Sequence, residues 1–293
     1  MKVGLVPLLY NEYNYGGVLQ FYALQRILKS KNIECDILFF NNDEKVSYYE
    51  LSARKKILLN VKIAIYSCFD GKSNIIDENI RKRKLKIDEF KRQYYSPVIN
   101  ETNISYSEYD AIVCGSDQIW NPNWARRRCF LEFVPDEINK VIYAASLGCE
   151  SMSKEQKAQF EPRIERLQYV SVREQSGKAI LDSFIKDKDI KVVLDPTLLL
   201  LPEDWNNIVA EPKEKGYVFT YFLGKYDDKI DYIGEFAKRK GLKIINIPFA
   251  SGEKNDDVCF GDLQIKDADP GEFIGLIKNA EYIFTDSFHA CVF

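Results

Sequence analysis

Three features of this 293-residue chain could do chemistry, and each stands where an apolar segment ends. The only histidine, His289, lies in Glu281-Tyr-Ile-Phe-Thr-Asp-Ser-Phe-His289. An apolar run ending in Thr-Asp-Ser predicts a strand that enters a polar turn. Asp286 or Ser287 would then cap a helix with His289 on its first turn. Imidazole is the side chain that most readily moves a proton near neutral pH, although a lone histidine can equally be a satisfied structural residue. Arg173 ends the strand-like Tyr169-Val-Ser-Val-Arg173. A fixed guanidinium there suits a carboxylate or phosphate, or a structural ion pair with Glu174 or an aspartate of a neighbouring turn. The run Gly115-Ser-Asp-Gln-Ile-Trp-Asn-Pro122 gathers Ser116, Asp117, Gln118 and Asn121 around Trp120. Hydroxyls of a sugar want such donors and acceptors, and its apolar face wants an aromatic ring. The alternative is a loop held by its own Asx and Ser turns. Gly16 and Gly17 open a helix whose N-terminus would favour an anion approaching the backbone, or they serve a tight turn. The spacing is neither a P-loop nor a dinucleotide fingerprint.

These residues need elements to hold them, and the pattern supplies alternating strands and helices. Val3–Leu9 predicts a strand, 16–28 a helix with a wide apolar stripe, and Ile33–Phe40 a second strand, which completes a βαβ unit. Further strands are expected at Tyr109–Cys114, Lys140–Ser146, Tyr169–Val172, Lys191–Leu194, Tyr217–Leu223 and Lys243–Ile247, with helices over 153–167, 176–184, 228–240 and 269–278. Such alternation predicts an α/β fold with parallel sheets and helices on both faces. Ligands of such sheets bind at the carboxyl ends of the strands, where all of the singled-out residues fall. We expect two Rossmann-like domains, 1–205 and 206–293, with a helical insertion at about 43–100. The chain stops inside an apolar stretch, so the second domain reads as truncated. The basic residues between Arg81 and Arg92 predict a solvated helix face, or contact with a membrane surface or a lipid-linked diphosphate.

Composition narrows the function classes. A formal charge of −3 argues against a general nucleic-acid binder. Seven scattered cysteines and a single histidine argue against a structural zinc site and fit reduced thiols in a cytoplasmic protein. No stretch approaches the ~20 apolar residues of a membrane helix.

Taken in order, short motifs along the chain resemble the polysaccharide pyruvyl transferase family. They are Asn14-Tyr-Gly-Gly17 with its Leu-Gln-x-Tyr-Ala-Leu-Gln helix, the Cys114–Pro122 run, Tyr143-Ala-Ala-Ser-Leu-Gly148, Ser171-Val-Arg-Glu-x-Ser176, Leu194-Asp-Pro-Thr197 and Thr285-Asp-Ser-Phe-His289. The resemblance implies a fold like that of GT-B glycosyltransferases with the site in the interdomain cleft. It also implies transfer of a pyruvyl group from phosphoenolpyruvate to a sugar of a surface glycan or its lipid-linked precursor, giving a ketal and phosphate. In the family the Arg of Ser-Val-Arg and the His of Ser-Phe-His bind phosphoenolpyruvate, which implies those roles for Arg173 and His289. A further basic residue beyond this chain's last position, Phe293, contributes in the family. Asp117 is a weaker candidate for contacting the acceptor hydroxyl. Gly16, Gly17, Ser116, Gln118, Trp120, Asn121 and Ser287 are expected to bind substrate. No metal and no cofactor beyond the donor is expected. Partners would be phosphoenolpyruvate and a glycan or lipid-linked acceptor, at a cytoplasmic location with optional peripheral membrane contact. Competing readings are a sugar-nucleotide glycosyltransferase of the same fold and a non-catalytic glycan-binding relative.

Overall fold

When helices return the chain to the same end of a sheet, successive strands pair in parallel. The computed structural model, which describes residues 1–8, 13–40, 78–224, 227–248 and 260–293, shows this twice. The first sheet contains β1 (Lys2–Val6), β2 (Glu34–Phe39), β3 (Val98–Asn100), β4 (Ala111–Asp117), β5 (Asn139–Ala145), β6 (Tyr169–Val172) and β7 (Lys191–Val192). Their order is β3-β2-β1-β4-β5-β6-β7, with every pair parallel. The second holds β8 (Tyr217–Tyr221), β9 (Lys243–Asn246), β10 (Leu263–Gln264) and β11 (Tyr282–Thr285) in the parallel order β10-β9-β8-β11. The expected α/β architecture of two parallel sheets is therefore present. In each sheet the strand order reverses once, between β1 and β4 and between β8 and β11. Such reversals open the crevice in which α/β sheets bind ligands.

Helix α1 (Tyr15–Ser30) explains how the two sheets are held together. Residues 15–25 carry far more buried positions than a one-sided amphipathic helix needs, which is the mark of a helix packed on two faces. Phe21 and Leu24 pack with Val3, Leu5, Ile37 and Val113 of the first sheet. Tyr15, Val18, Leu19 and Tyr22 pack with Tyr217, Tyr221 and Phe273 of the second unit. The Tyr15 ring stacks on Phe273 with centroids 4.5 Å apart, and its hydroxyl donates to Ala268 O at 2.8 Å.

Of the expected helical insertion, residues 43–77 lie outside the described residues, and the rest includes α2 (Glu78–Tyr94). The solvated face expected for its basic run is only partly present. Ile87 and Phe90 anchor the helix in the core shared with the second sheet. Residues 83 and 91, four positions either side of Ile87, are therefore drawn inward on the same face. Buried Arg83 donates to Lys266 O (2.8 Å) and Pro248 O (3.1 Å), and Lys86 donates to Glu272 (3.1 Å). Lys91 sits buried beside the Tyr13 ring. Arg83 and Lys86 join α2 to the second unit, while Arg81 and Arg92 pair with Glu78 and Glu89 in solvent. No helix among the described residues is long and apolar enough to cross a membrane.

Candidate active site

The carboxyl ends of β1, β4, β6, β8 and β11 open on one cleft of about 460 Å³, so both strand-order reversals face the same space. The second sheet contributes His289. Beyond β11, the Asp286 carboxylate accepts from Leu223 N (2.7 Å) and Gly224 N (2.9 Å), which ties the end of β11 to the end of β8. Ser287 then caps a short helix (Phe288–Val292), its side chain accepting from Ala290 N. This cap places His289 on the first turn as expected, with the residue only 6% exposed. Burial pushes the imidazole below its ordinary pKa, against the pull of Asp117 and Asp195. Its Nε2 lies 3.8 Å from Asp195 Oδ2 and has no hydrogen-bond partner among the described residues.

The first sheet contributes Arg173, just past β6. Its buried guanidinium donates to Asp195 Oδ2 (2.8 Å), Glu174 Oε1 (3.0 Å) and Asp117 Oδ1 (3.2 Å). The ring of Phe288 covers it, 4.3 Å from the guanidinium carbon. Both sequence-level readings of Arg173 thus have a basis: it is ion-paired, and it is also at the cleft. Asp195 joins the two sheets. Its Oδ1 accepts from Thr197 N and Oγ1 (3.1 and 2.7 Å), which leaves Oδ2 to Arg173 and to the approach of His289. Burial alone would raise this carboxyl; the charges of His289 and Arg173 and the Thr197 bonds outweigh it and hold the pKa below the ordinary range.

The structure places the remaining expected residues as follows. Asp117, Gly17, Gln118 and Ser287 line the cleft with Arg173 and His289. Ser116 is fully buried and stands behind the cleft. Its Oγ donates to Gln20 Oε1 at 2.6 Å and lies 3.4 Å from Asp195 Oδ2, so it steadies the carboxylate that steadies Arg173. Asn121 is buried too, with Nδ2 donating to Gln118 Oε1 (3.0 Å) and Oδ1 accepting from Asn123 N (3.0 Å). It is the self-holding Asx residue of the alternative reading. Gly16 admits no ligand, because a Cβ there would stand 2.3 Å from His289 Nδ1. The glycine is needed for the close approach of the imidazole to α1.

Trp120 corrects the sequence reading outright. Its indole is fully buried, donates to Cys129 O at 2.9 Å and stacks on Phe130, so it cannot offer a face to a sugar. Apolar neighbours on both sides of the loop draw it inward, and the aromatic ring at the cleft is instead Trp124. Trp120→Ala should therefore cost about 3–5 kcal/mol by leaving a cavity, and Trp124→Ala within about 0.5 kcal/mol. Denaturant unfolding of the two variants checks this difference. Sequence reasoning placed Asp195 at a strand end on the same edge but assigned no site role to it, nor to Gln20, Trp124 or Phe288. For Asp195 the signal was a strand ending in Asp-Pro-Thr, since aspartate before such a turn commonly accepts from the turn's own N–H.

The model of the polysaccharide pyruvyl transferase family matches residues 14–293. No match is found among curated proteins. Among solved structures, the UDP-GlcNAc 2-epimerase of Methanocaldococcus jannaschii is 15% identical, with a TM-score of 0.49 over 100% of this chain and 81% of that one. A protein assigned as a UDP-N-acetylglucosamine 2-epimerase from Listeria monocytogenes is 11% identical, with a TM-score of 0.50 over 98% of this chain and 74% of that one. At 11% identity the likeness to the Listeria protein bears on the fold alone, and it agrees with the GT-B-like pair of parallel sheets.

Proposed function

The chain belongs to the polysaccharide pyruvyl transferase family, and we propose that it transfers the pyruvyl group of phosphoenolpyruvate to two hydroxyls of one sugar, forming a ketal and releasing phosphate. The sugar would belong to a surface polysaccharide or its lipid-linked precursor, on the cytoplasmic side. The observation that carries this reading is the meeting of Arg173 and His289, one from each sheet, at the single oxygen Asp195 Oδ2 with Asp117 beside them. A donor bearing a carboxylate and a phosphate needs such convergent positive groups.

The chemistry follows from the groups present. The donor's carboxylate takes the place of Asp117 on Arg173, which is the longest of the three carboxylate contacts. Asp117, thus released, is free to accept a proton from an acceptor hydroxyl. His289, neutral while buried alone, gains a proton when the phosphate dianion arrives, because a nearby opposite charge favours the charged form. The imidazolium then holds the phosphate and can protonate the methylene carbon. Carbon 2 becomes electron-poor, the first hydroxyl oxygen bonds to it, and that hydroxyl's proton passes to Asp117. The C2–O bond to phosphate breaks, the second hydroxyl oxygen closes the ring, and its proton leaves with the phosphate.

Two measurements test this. Phosphate release from phosphoenolpyruvate should appear only with a competent glycan acceptor; protection of the fold by nucleotide sugars and none by phosphoenolpyruvate would refute the donor assignment. Calorimetric titration with phosphoenolpyruvate near pH 7.5, in buffers of different ionisation enthalpy, should show net proton uptake that His289→Gln removes. The sign follows from the depressed pKa of free His289, which leaves the unliganded imidazole neutral.

A further inference from the structure

The loop after β4 carries two tryptophans four residues apart, and they do opposite things. Trp120 is locked in the core, whereas Trp124 lines the cleft with 40% of its surface exposed. The loop between them is rigid. Asn121 O accepts from Trp124 N (3.1 Å) and Ala125 N (2.8 Å), while the Asn121 side chain holds Asn123 N and Gln118. A ring presented on such a loop loses little freedom when a ligand rests on it. Phe288 is the other exposed aromatic ring of the cleft, but one of its faces is taken by Arg173. Phe21 is buried, and the Tyr95 hydroxyl is spent on Val18 O. Trp124 and the outer face of Phe288 are thus the open aromatic surfaces among the described cleft residues, and Trp124 stands on the same loop that begins at Asp117.

A single exposed apolar side chain needs no explanation on an ordinary surface. Inside a cleft it is different, because such sites bind by apolar faces flanked by a few fixed polar groups. Gln118 and Asn14 line the same cleft and offer both donors and acceptors. An electron-rich ring face attracts weakly positive C–H groups, and a pyranose presents a patch of axial C–H groups ringed by hydroxyls. From this geometry we infer that Trp124 is the stacking platform for the acceptor, a pyranose ring whose hydroxyls are thereby turned towards Asp117. The inference rests on the transferase reading for the word acceptor, but the binding itself does not depend on phosphoenolpyruvate.

The test titrates a panel of methyl pyranosides of galactose, glucose, mannose and N-acetylglucosamine into the protein, followed by tryptophan fluorescence and saturation-transfer NMR, with uridine diphosphate as a competing class. The wild type should bind at least one glycoside, and Trp124→Ala should weaken it about tenfold or more, with Trp124→Phe much closer to wild type. In turnover, Trp124→Ala should raise the KM for acceptor while that for phosphoenolpyruvate stays within about twofold, since uniform binding of one substrate is what is lost. Equal glycoside binding by Trp124→Ala, equal losses for donor and acceptor, uridine diphosphate binding in place of every glycoside, or no glycoside bound by the wild type would each overturn the platform. Trp124-dependent glycoside binding without any phosphate release from phosphoenolpyruvate would instead overturn the donor assignment alone.

Discussion

Arg173→Ala is expected to abolish pyruvyl transfer and also to weaken the fold by about 3–5 kcal/mol, because it strands a buried carboxylate. That carboxylate is Asp195, whose side chain is 1% exposed and whose Oδ2 takes its shortest bond from the guanidinium. Activity and stability are separable by a second change. Asp195→Asn on the Arg173→Ala background removes the stranded charge, so it should restore part of the lost stability and none of the activity. Such non-additivity is what groups in one network show. Arg173→Lys tests geometry instead of charge: one ammonium cannot serve Asp195, Glu174, Asp117 and a donor carboxylate in the planar arrangement the guanidinium provides. Its transfer rate should fall far more than its unfolding midpoint. Phosphate release and denaturant unfolding, measured on all three variants, decide the matter. Wild-type turnover by Arg173→Ala would refute the donor-binding role.

The paired state of Arg173 shows why the site was only partly legible in the sequence. The type of residue and its place at a strand end were enough to nominate it, but the ion pairs it forms depend on carboxylates 22 and 56 positions away in the chain, which no local pattern reveals. Three carboxylates hold the guanidinium, and the proposed mechanism exchanges one of them for the donor carboxylate. The cap at Ser287 was readable because it is a local matter of hydrogen bonding within four residues. The wide stripe on α1 was readable as well, although what lay on its two sides was not, since periodicity reports a buried face and not the partner that buries it. Trp120 and Trp124 expose the same limit. Both are tryptophans in one polar loop, and only the tertiary packing of Phe130 and Cys129 decides which turns inward. Edge strands β3 and β10, at three and two residues, are too short to establish any alternation and were missed.

Gly16 provides the second large effect, with activity moving far more than stability. Glycine at the start of a helix is usually replaceable, and alanine there should favour the helix by up to about 1 kcal/mol. The backbone at Gly16 lies outside the left-handed region, so it raises no objection to a side chain. The nearest obstacle is His289: an added Cβ would stand 2.3 Å from Nδ1, 2.7 Å from Cγ and 2.9 Å from Cβ of the imidazole residue. Rotation of the ring cannot relieve a contact that includes the histidine's own Cβ, so the Phe288–Val292 helix must move away from α1. The Ser287 cap and the Asp286 bonds to Leu223 N and Gly224 N anchor the same N-terminal end that carries His289, so the shift falls on that capped turn and displaces the imidazole from the cleft. A displacement of about 1 Å at a reacting group can cost about a hundredfold in rate. Gly16→Ala is therefore expected to lose about that factor in transfer rate, while in stability the overpacking cost of about 1–3 kcal/mol is partly offset by the gain in helix propensity, and the proton uptake on phosphoenolpyruvate binding should shrink with the rate. Gly16→Ala with wild-type turnover would mean that His289 does its work from a position other than the one seen against α1.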